Sequence, residues 1–477
     1  MRRPHLHVAP SLVPELERRI ATIEDDLEVT REFPPDVLAE VDHAVATVTL
    51  PERDCTDLPF VTIDPPGAKD LDQAMYIERD GDGYVAHYAI SDIGAYVRPG
   101  GAIDREAHKR GQTLYAPSYR VPLHPPGLSE DVASLLAGEV RGAIVWRIGL
   151  DSTGEGTTVD AYRARVRSRG QYDYAAVQDA VDSDRADEVF LLLREVGQLR
   201  QKHERERGGV SLPLPDQEID VSDGAWTLRL RDNLPVEGWN EQISLLCGMA
   251  AAHLMIYAQV GLLRTLPPAD PRGVARLRRA ARALGIGWPR EMGYPDFVRT
   301  LDPLVPKDAA MLSECTTLLR GAGYAAFDGS IPAQPEHSAI AAEYAHATAP
   351  LRRLADRYVG ATCVAICAGE PVPDWVRSGL RELPGVMQAT DRLAGRYERE
   401  ILDLVEAGIL GPYVGQVFDG VVIETDDKNP SRGTVLVRHQ AIEARITSAT
   451  ALPLGEDVGA RLVEADLDTR TVRFELT

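Results

Sequence analysis

At 477 residues the chain is too long for one ordinary domain, so a large core domain with smaller attachments is expected. A formal charge of −21 argues against a protein that coats nucleic acid through bulk attraction, so a polyanionic substrate would need basic residues concentrated in a channel. With 44% hydrophobic and 26% charged residues, and no apolar run near the roughly eighteen residues that a helical span needs, the composition excludes a helical membrane protein.

The N-terminus, MRRPHLHVAPSLVPEL, has two arginines but neither a continuous apolar stretch nor a small-residue cleavage site, which points to a cytoplasmic protein. Residues 11 to 48 hold two stretches with apolar residues at helical spacing, SLVPELERRIATIEDDLEV and PPDVLAEVDHAVATV, the second opened by prolines suited to a first turn. From Leu58 the texture changes to short β-like runs, PFVTID, QAMYIER and YVAHYAI, separated by turn formers such as GDG at 81 to 83. A mixed α/β domain starts there. One amphipathic helical segment is predicted over 172 to 208, stopped by Gly208 and Gly209, and further helices over about 238 to 261, 271 to 284 and 351 to 368. After Gly411 five short strands with glycine-marked turns have the pattern of a small Greek-key barrel of the OB type. The division is a helical segment over 1–55, an α/β (α+β) core over 56–408 and an all-β barrel over 409–477. No coiled-coil heptads or exposed apolar stripe stand out, so a monomer is expected.

Five scattered cysteines without CxxC pairs argue against a disulfide framework or a zinc site. Cys363 and Cys367, one helical turn apart in YVGATCVAICAG, are read as buried free thiols.

The stretch Val61 to Ala74, VTIDPPGAKDLDQA, ends a strand in Asp64 and brings Asp70 and Asp72 back within a few residues. Two like charges about 4 Å apart repel by roughly 4 kcal/mol at an effective dielectric of 20, so such a cluster wants a cation. Mg²⁺ suits it, with Mn²⁺ as a substitute, because a hard ion takes a few carboxylates and completes its shell with water and phosphate oxygens. On spacing alone an acidic surface turn is the commoner case, since Pro65, Pro66 and Gly67 already explain the turn. In the second stretch, YAHATAPLRRLAD, a Thr-Ala-Pro turn launches a helix with Arg352 and Arg353 in its opening turns, and guanidinium forks suit phosphate. Alone, two such arginines are more often a solvated face or an ion pair. The basic runs at 272 to 285 and 200 to 209 are candidates for gripping a phosphate backbone and equally fit solvated helical faces.

VTIDPPGAKDLDQA resembles the signature loop of the RNB catalytic domain of the ribonuclease II family, whose pattern is close to TID, a short spacer and KDLDDA. Three further stretches fall in the family's order: RGQTLYAPSYRVPLHPPGLSEDVASL, EGWNEQISLL and EYAHATAPLRRLAD. The terminal barrel is similar to the family's S1-class domain, so the resemblance covers roughly residues 56 to 477. It implies an RNB catalytic domain followed by an S1-like OB barrel, acting as a 3′→5′ exoribonuclease that hydrolyses single-stranded RNA to nucleoside 5′-monophosphates and leaves a short end fragment. Asp64, Asp70 and Asp72 match three of the family's four acidic metal positions. Gln73 stands at the fourth, where its amide oxygen could still ligate an ion but one negative charge is lost. Arg352 matches the arginine that grips phosphate and stabilises charge in the transition state. Tyr115 matches the tyrosine that packs on a terminal base, with a core tyrosine as its rival reading, and Glu241 matches an acid lining the 3′-end pocket. Arg353, His346 and His337 could touch phosphate or support those that do; His346 could equally be a satisfied structural histidine.

The family commonly carries two cold-shock-type domains ahead of the catalytic domain, whereas some 55 residues of helical pattern precede it here, and no lysine-rich tail follows Thr477. Two alternatives stay open: an RNA-binding relative in which Gln73 has cost the chemistry, and a phosphoesterase using Asp70 and Asp72 as a DxD pair. The second is disfavoured because GAK, not apolar strand residues, precedes Asp70.

Overall fold

The computed structural model describes residues 6–212, 216–222, 225–231, 233–426, 428–437 and 442–477. The two N-terminal helices form as predicted, α1 over Val13–Asp26 and α2 over Pro35–Thr47, both opening on proline. Neither floats free. Buried Glu24 at the end of α1 accepts from the Tyr119 and Tyr397 hydroxyls at 2.7 and 2.8 Å and from Arg31 Nε at 2.6 Å. Glu40 of α2 accepts from the Ala102 amide at 2.6 Å, at the start of α3 (Ala102–Arg110).

The core domain is built on a closed five-stranded barrel. Strands β1 (Phe60–Ile63), β2 (Gln73–Asp80) and β3 (Gly83–Ser91) are followed by the short hairpin β4 (Leu114–Tyr115) and β5 (Arg120–Val121), then by the long strands β6 (Val140–Leu150) and β7 (Gly156–Tyr172). The barrel order is β1-β2-β3-β6-β7, closed by parallel pairing of β1 with β7. All nine residues of β3 are buried, which requires cover on both faces. Tyr88, Ile77 and Trp146 join one apolar cluster with residues of the helices packed around the barrel.

Helices α4 (Tyr174–Asp182) and α5 (Glu188–Arg207) replace the single segment predicted over 172–208. The break falls in the polar run Ser183-Asp184-Arg185, where Asp184 takes a left-handed φ of 53°. At the end of α5, Gly208 caps at φ 84°, a conformation glycine adopts without penalty. A hairpin of β8 (Asp216–Ser222) and β9 (Ala225–Arg231) leads to α6 (Pro235–Ala258) and β10 (Val260–Thr265). A helical module follows, α7 (Pro271–Ala283), α8 (Tyr294–Val298) and α9 (Pro306–Thr316), before the short strands β11 (Gly323–Asp328), β12 (Glu336–His337) and β13 (Ala342–Glu343). Helices α10 (Leu354–Ala368), α11 (Asp374–Leu380) and α12 (Leu383–Leu410) complete the core.

The last five strands, β14 (Val417–Thr425), β15 (Arg432–Val437), β16 (Ile442–Thr447), β17 (Asp457–Asp466) and β18 (Thr471–Leu476), form a second closed barrel. Its order β14-β15-β16-β18-β17, with β16 and β18 parallel, is that of an OB fold around buried Val435, Ile446, Leu462 and Phe474. The fold class is therefore the expected one: an α/β core, a C-terminal OB barrel and a helical N-terminal segment.

All five cysteines are free, with Cys363 buried and Cys367 half-buried. Among the described residues no helix is long and apolar enough to cross a membrane.

Candidate active site

Strand β1 is buried throughout and delivers Asp64 at its end, where the Asp64 amide donates to the Tyr172 carbonyl of β7 at 3.0 Å. The chain then turns through Pro65, Pro66 and Gly67, whose φ of 79° is one that side-chain-bearing residues rarely adopt. Leu71 anchors the returning loop. It is fully buried, and its amide takes the Ser134 hydroxyl as acceptor at 2.9 Å, so Asp70 and Asp72 on either side are fixed in direction.

The environments of the three carboxylates differ. Asp72 is 5% exposed; its Oδ1 accepts from the Leu351 amide at 2.7 Å and its Oδ2 lies 3.6 Å from Arg352 Nε. Burial pushes its pKa up to about 8 against the pull of Arg352. Asp64 is pushed up to about 7 by burial and by the charge of Asp70, and its Oδ2 is buried without a hydrogen-bond partner. Asp70 is also raised by burial, but Arg120 Nη1 holds its Oδ1 at 2.5 Å.

Gln73 behaves differently from a ligand. Its Oε1 accepts the Tyr88 hydroxyl and its Nε2 donates to the Thr348 carbonyl at 2.8 Å, so both ends of the amide tie β2 to its neighbours. Among the described residues no three His, Cys, Asp or Glu side chains close into a metal cage, with Asp70 held by Arg120 and Gln73 turned inward.

The arginine stretch departs from the predicted helix start. Helix α10 begins at Leu354, so Arg352 and Arg353 precede it. They sit in a tight turn where the Arg352 and Arg353 amides donate to the Ala349 carbonyl at 3.2 and 2.9 Å. Buried Asp356 builds this turn by accepting the Ala349 amide at 2.8 Å and both Arg353 nitrogens, Nε at 2.5 Å and Nη2 at 2.8 Å. Arg353 is thereby engaged in a buried fork that braces the turn carrying Arg352, which matches the supporting one of its two expected roles and not the phosphate contact. Arg352 points the other way, with its side chain 48% exposed beside Asp72. The turn is stitched to the hairpin segment through Thr113 N to Arg352 O at 3.0 Å and Leu354 N to Gly111 O at 3.0 Å.

Tyr115 pairs with Arg120 across the β4–β5 hairpin, is 53% exposed, and stands within electrostatic reach of Arg352, Asp70 and Asp72. Its pKa is nonetheless raised by desolvation, and its exposure separates it from a core tyrosine.

The remaining expected residues form a separate group. His346 is half-buried, held by the Tyr324 hydroxyl at 2.7 Å, and kept neutral by desolvation and by the charge of Arg353, the geometry of a structural histidine. His337 is lowered to about 4 by burial and by Arg264, and its ring meets that of Tyr344 edge-on at 6.2 Å. Glu241 lies on α6, where desolvation and the charge of Glu204 of α5 raise its pKa. The acidic loop, Arg352 and Tyr115 therefore come together, whereas Glu241, His337, His346 and Arg353 lie around Tyr324 and Tyr344.

Two residues that the sequence reading did not single out belong to the first group. Arg120 lies inside the matched stretch RGQTLYAPSYRVPLHPPGLSEDVASL, so its basic charge there was the available signal. Tyr174, at the start of α4, is pushed up to about 12 by burial and by the charge of Asp64, and its hydroxyl meets Asn240 Nδ2 at 3.2 Å; no sequence signal marks it. Of the basic runs, Arg200 is buried and bound to the Gly154 carbonyl at 3.0 Å, and Arg278 caps the Met292 carbonyl at 2.9 Å, so both serve the fold.

Comparison with known proteins matches residues 52–367 to the RNB domain and residues 416–477 to the RNase II-type exonuclease C-terminal S1 domain. Ribonuclease R of Escherichia coli is 26% identical over 468 residues, covering 89% of this chain and 57% of that protein. Exoribonuclease 2 of Proteus mirabilis is 32% identical over 197 residues, covering 39% of this chain and 30% of that protein. The chain thus spans little more than half the length of the Escherichia coli relative. Mycoplasma genitalium RNase R in complex with ribose-methylated single-stranded RNA superposes with a TM-score of 0.85 at 20% identity, over 97% of this chain and 78% of that one. The yeast pseudonuclease Ssd1 superposes with a TM-score of 0.69 at 15% identity, over 84% of this chain and 52% of that one. With the RNB match spanning well over half its length and the S1 match following in order, the chain belongs to the RNB-domain family of ribonuclease II-type proteins.

Proposed function

We propose that this protein is a 3′→5′ exoribonuclease that hydrolyses single-stranded RNA to nucleoside 5′-monophosphates at a divalent-metal centre of Asp64, Asp70 and Asp72, and leaves a short end fragment. The observation that carries the reading is the buried carboxylate group facing one half-exposed guanidinium. Asp64 and Asp72 are raised to about 7 and 8 by desolvation, and Asp64 Oδ2 is buried without a partner. Carboxylates in such surroundings fit a hard cation such as Mg²⁺, with Mn²⁺ as a substitute; Asp64 and Asp72 would hold it directly, and Asp70, whose Oδ1 Arg120 occupies, through its other oxygen. When bound, the ion supplies electrophilic assistance at the scissile phosphate.

The chain's own groups do the rest. Arg352, 3.6 Å from Asp72 and open to solvent, meets the phosphate and stabilises charge that grows on its oxygens. The exposed ring of Tyr115 offers a stacking face for a base beside the centre. Tight seating of Leu351 N–H on Asp72 keeps the arginine turn and the acidic loop in register.

The test is product identity. Incubation with Mg²⁺ should convert an oligoribonucleotide to nucleoside 5′-monophosphates, and a 3′-phosphate should block it. Internal fragments, or products carrying 3′-phosphates, would overturn the reading. A second reading, an RNA-binding relative without turnover, is favoured by one observation: Gln73 brings no charge and both ends of its amide are already bonded.

A further inference from the structure

The charges around the centre do not call for two metal ions. Asp70 stands between Asp64 and Asp72 in the acidic loop, yet its own Oδ1 is held by Arg120 at 2.5 Å. The second amino group of Arg120 reaches Glu130 at 3.0 Å. Arg120 is well fixed there. Its backbone pairs with Tyr115 across the β4–β5 hairpin, and its side chain is 24% exposed. A guanidinium stays charged at every working pH and neutralises a carboxylate without needing to be captured from solution.

The position that follows Asp72 is neutral Gln73, bonded to Tyr88 and Thr348. Nearby Asp356 is matched by Arg353 and drops out of the balance. What remains is Asp64, Asp70, Asp72 and Glu130 against Arg120 and Arg352. With all four carboxylates ionised, as metal binding requires, two guanidiniums leave two negative charges, the charge of one divalent cation. The oxygens left for a cation are on the Asp64 and Asp72 side, where Asp64 Oδ2 is buried without a hydrogen-bond partner and Asp72 Oδ2 lies 3.6 Å from Arg352.

We propose that Arg120 is the fixed counter-ion of Asp70, standing in for a second metal ion, so that the centre takes a single divalent cation. The inference rests on the metal-centre part of the proposed function and adds a stoichiometry and a positioning residue to it.

Its test uses Mn²⁺ alone, titrated into the full chain without RNA and followed by calorimetry and by the Mn²⁺ paramagnetic resonance signal. The unsubstituted chain should bind one Mn²⁺ with no spin coupling. Gln73→Asp, which leaves Arg120 in place, should still bind one. Arg120→Met combined with Gln73→Asp should bind two, with the broadened signal of a coupled pair, and Arg120→Lys with Gln73→Asp should return to one. Two ions or none in the unsubstituted chain, or a second ion in Gln73→Asp alone, would overturn the proposal even if the Arg120 variants fail to fold. A folded double variant that still binds one ion with unchanged affinity would also overturn it. If the stoichiometry holds while no RNA is cut, the nuclease reading falls and the counter-ion role of Arg120 stands.

Discussion

Two consecutive arginines, one open and one buried, should fail in opposite ways when replaced by methionine. Arg352 is 48% exposed and sits 3.6 Å from Asp72, a half-solvated pair whose contribution to folding is of the order of 1 kcal/mol or less. Under the proposed function its value lies in charge that develops only as the phosphorus is attacked. Loss of one such donor removes about 3 kcal/mol from the transition state, so Arg352→Met should lower kcat by roughly 10²- to 10³-fold. Arg353 is different: its fork closes on Asp356, whose side chain is fully buried. Arg353→Met leaves that carboxylate buried and unpaired, a loss of about 3–5 kcal/mol. Urea unfolding measures the stability difference, and single-turnover cleavage of a labelled oligoribonucleotide measures the chemical step. The assignment is refuted if Arg352→Met destabilises the fold as much as Arg353→Met does, or if Arg353→Met abolishes cleavage with unchanged stability.

Stability of the chelated protein should fall as pH rises. Asp64 and Asp72 titrate near 7 and 8 when folded but near 3.8 when unfolded, so the folded state binds more protons between about pH 4 and 8 and loses that advantage as pH rises through the folded values. Saturating Mg²⁺ should flatten the slope in urea melts; a flat profile without metal would count against the burial of these groups. Tyr115→Ala should leave stability unchanged and weaken substrate binding by about 1–3 kcal/mol, visible in KM and in a longer final fragment, because the exposed ring has a base rather than core atoms to pack on. Glu24→Ala should destabilise by about 2 kcal/mol or more, since one buried carboxylate serves Tyr119, Tyr397 and Arg31. Unchanged urea unfolding in that variant would show that the N-terminal helices are not braced there.

Where the chemistry is local it was legible in the residues. VTIDPPGAKDLDQA is a strand, a tight turn and a return, and no long-range contact is needed to bring its three aspartates near one another. The terminal barrel was legible for the same reason, as alternating strands separated by glycine turns. What lay outside reach depends on partners distant in sequence. Arg120 meets Asp70 only because the β4–β5 hairpin folds over the loop, and Gln73 is turned inward by Tyr88 on the neighbouring strand and by Thr348, far from it along the chain. The start of α10 was misread because Pro350 suits a first helical turn, whereas Asp356 captures the Ala349 amide and holds residues 349 to 353 as a separate turn. That displacement separates the two arginines into an exposed one and a buried one, which periodicity treats as equals.

The central claim is that Asp72 and its neighbours cut RNA rather than only bind it. It is tested most directly with a 5′-labelled single-stranded RNA and Mg²⁺, comparing the unsubstituted chain with Asp72→Asn, which keeps an acceptor for the Leu351 amide but removes the charge. The expected result is a ladder ending in a short 5′ fragment for the former, and binding without cleavage for the latter. Binding without cleavage by both, in Mg²⁺ and in Mn²⁺, would contradict it and make the protein an RNA-binding member of the family.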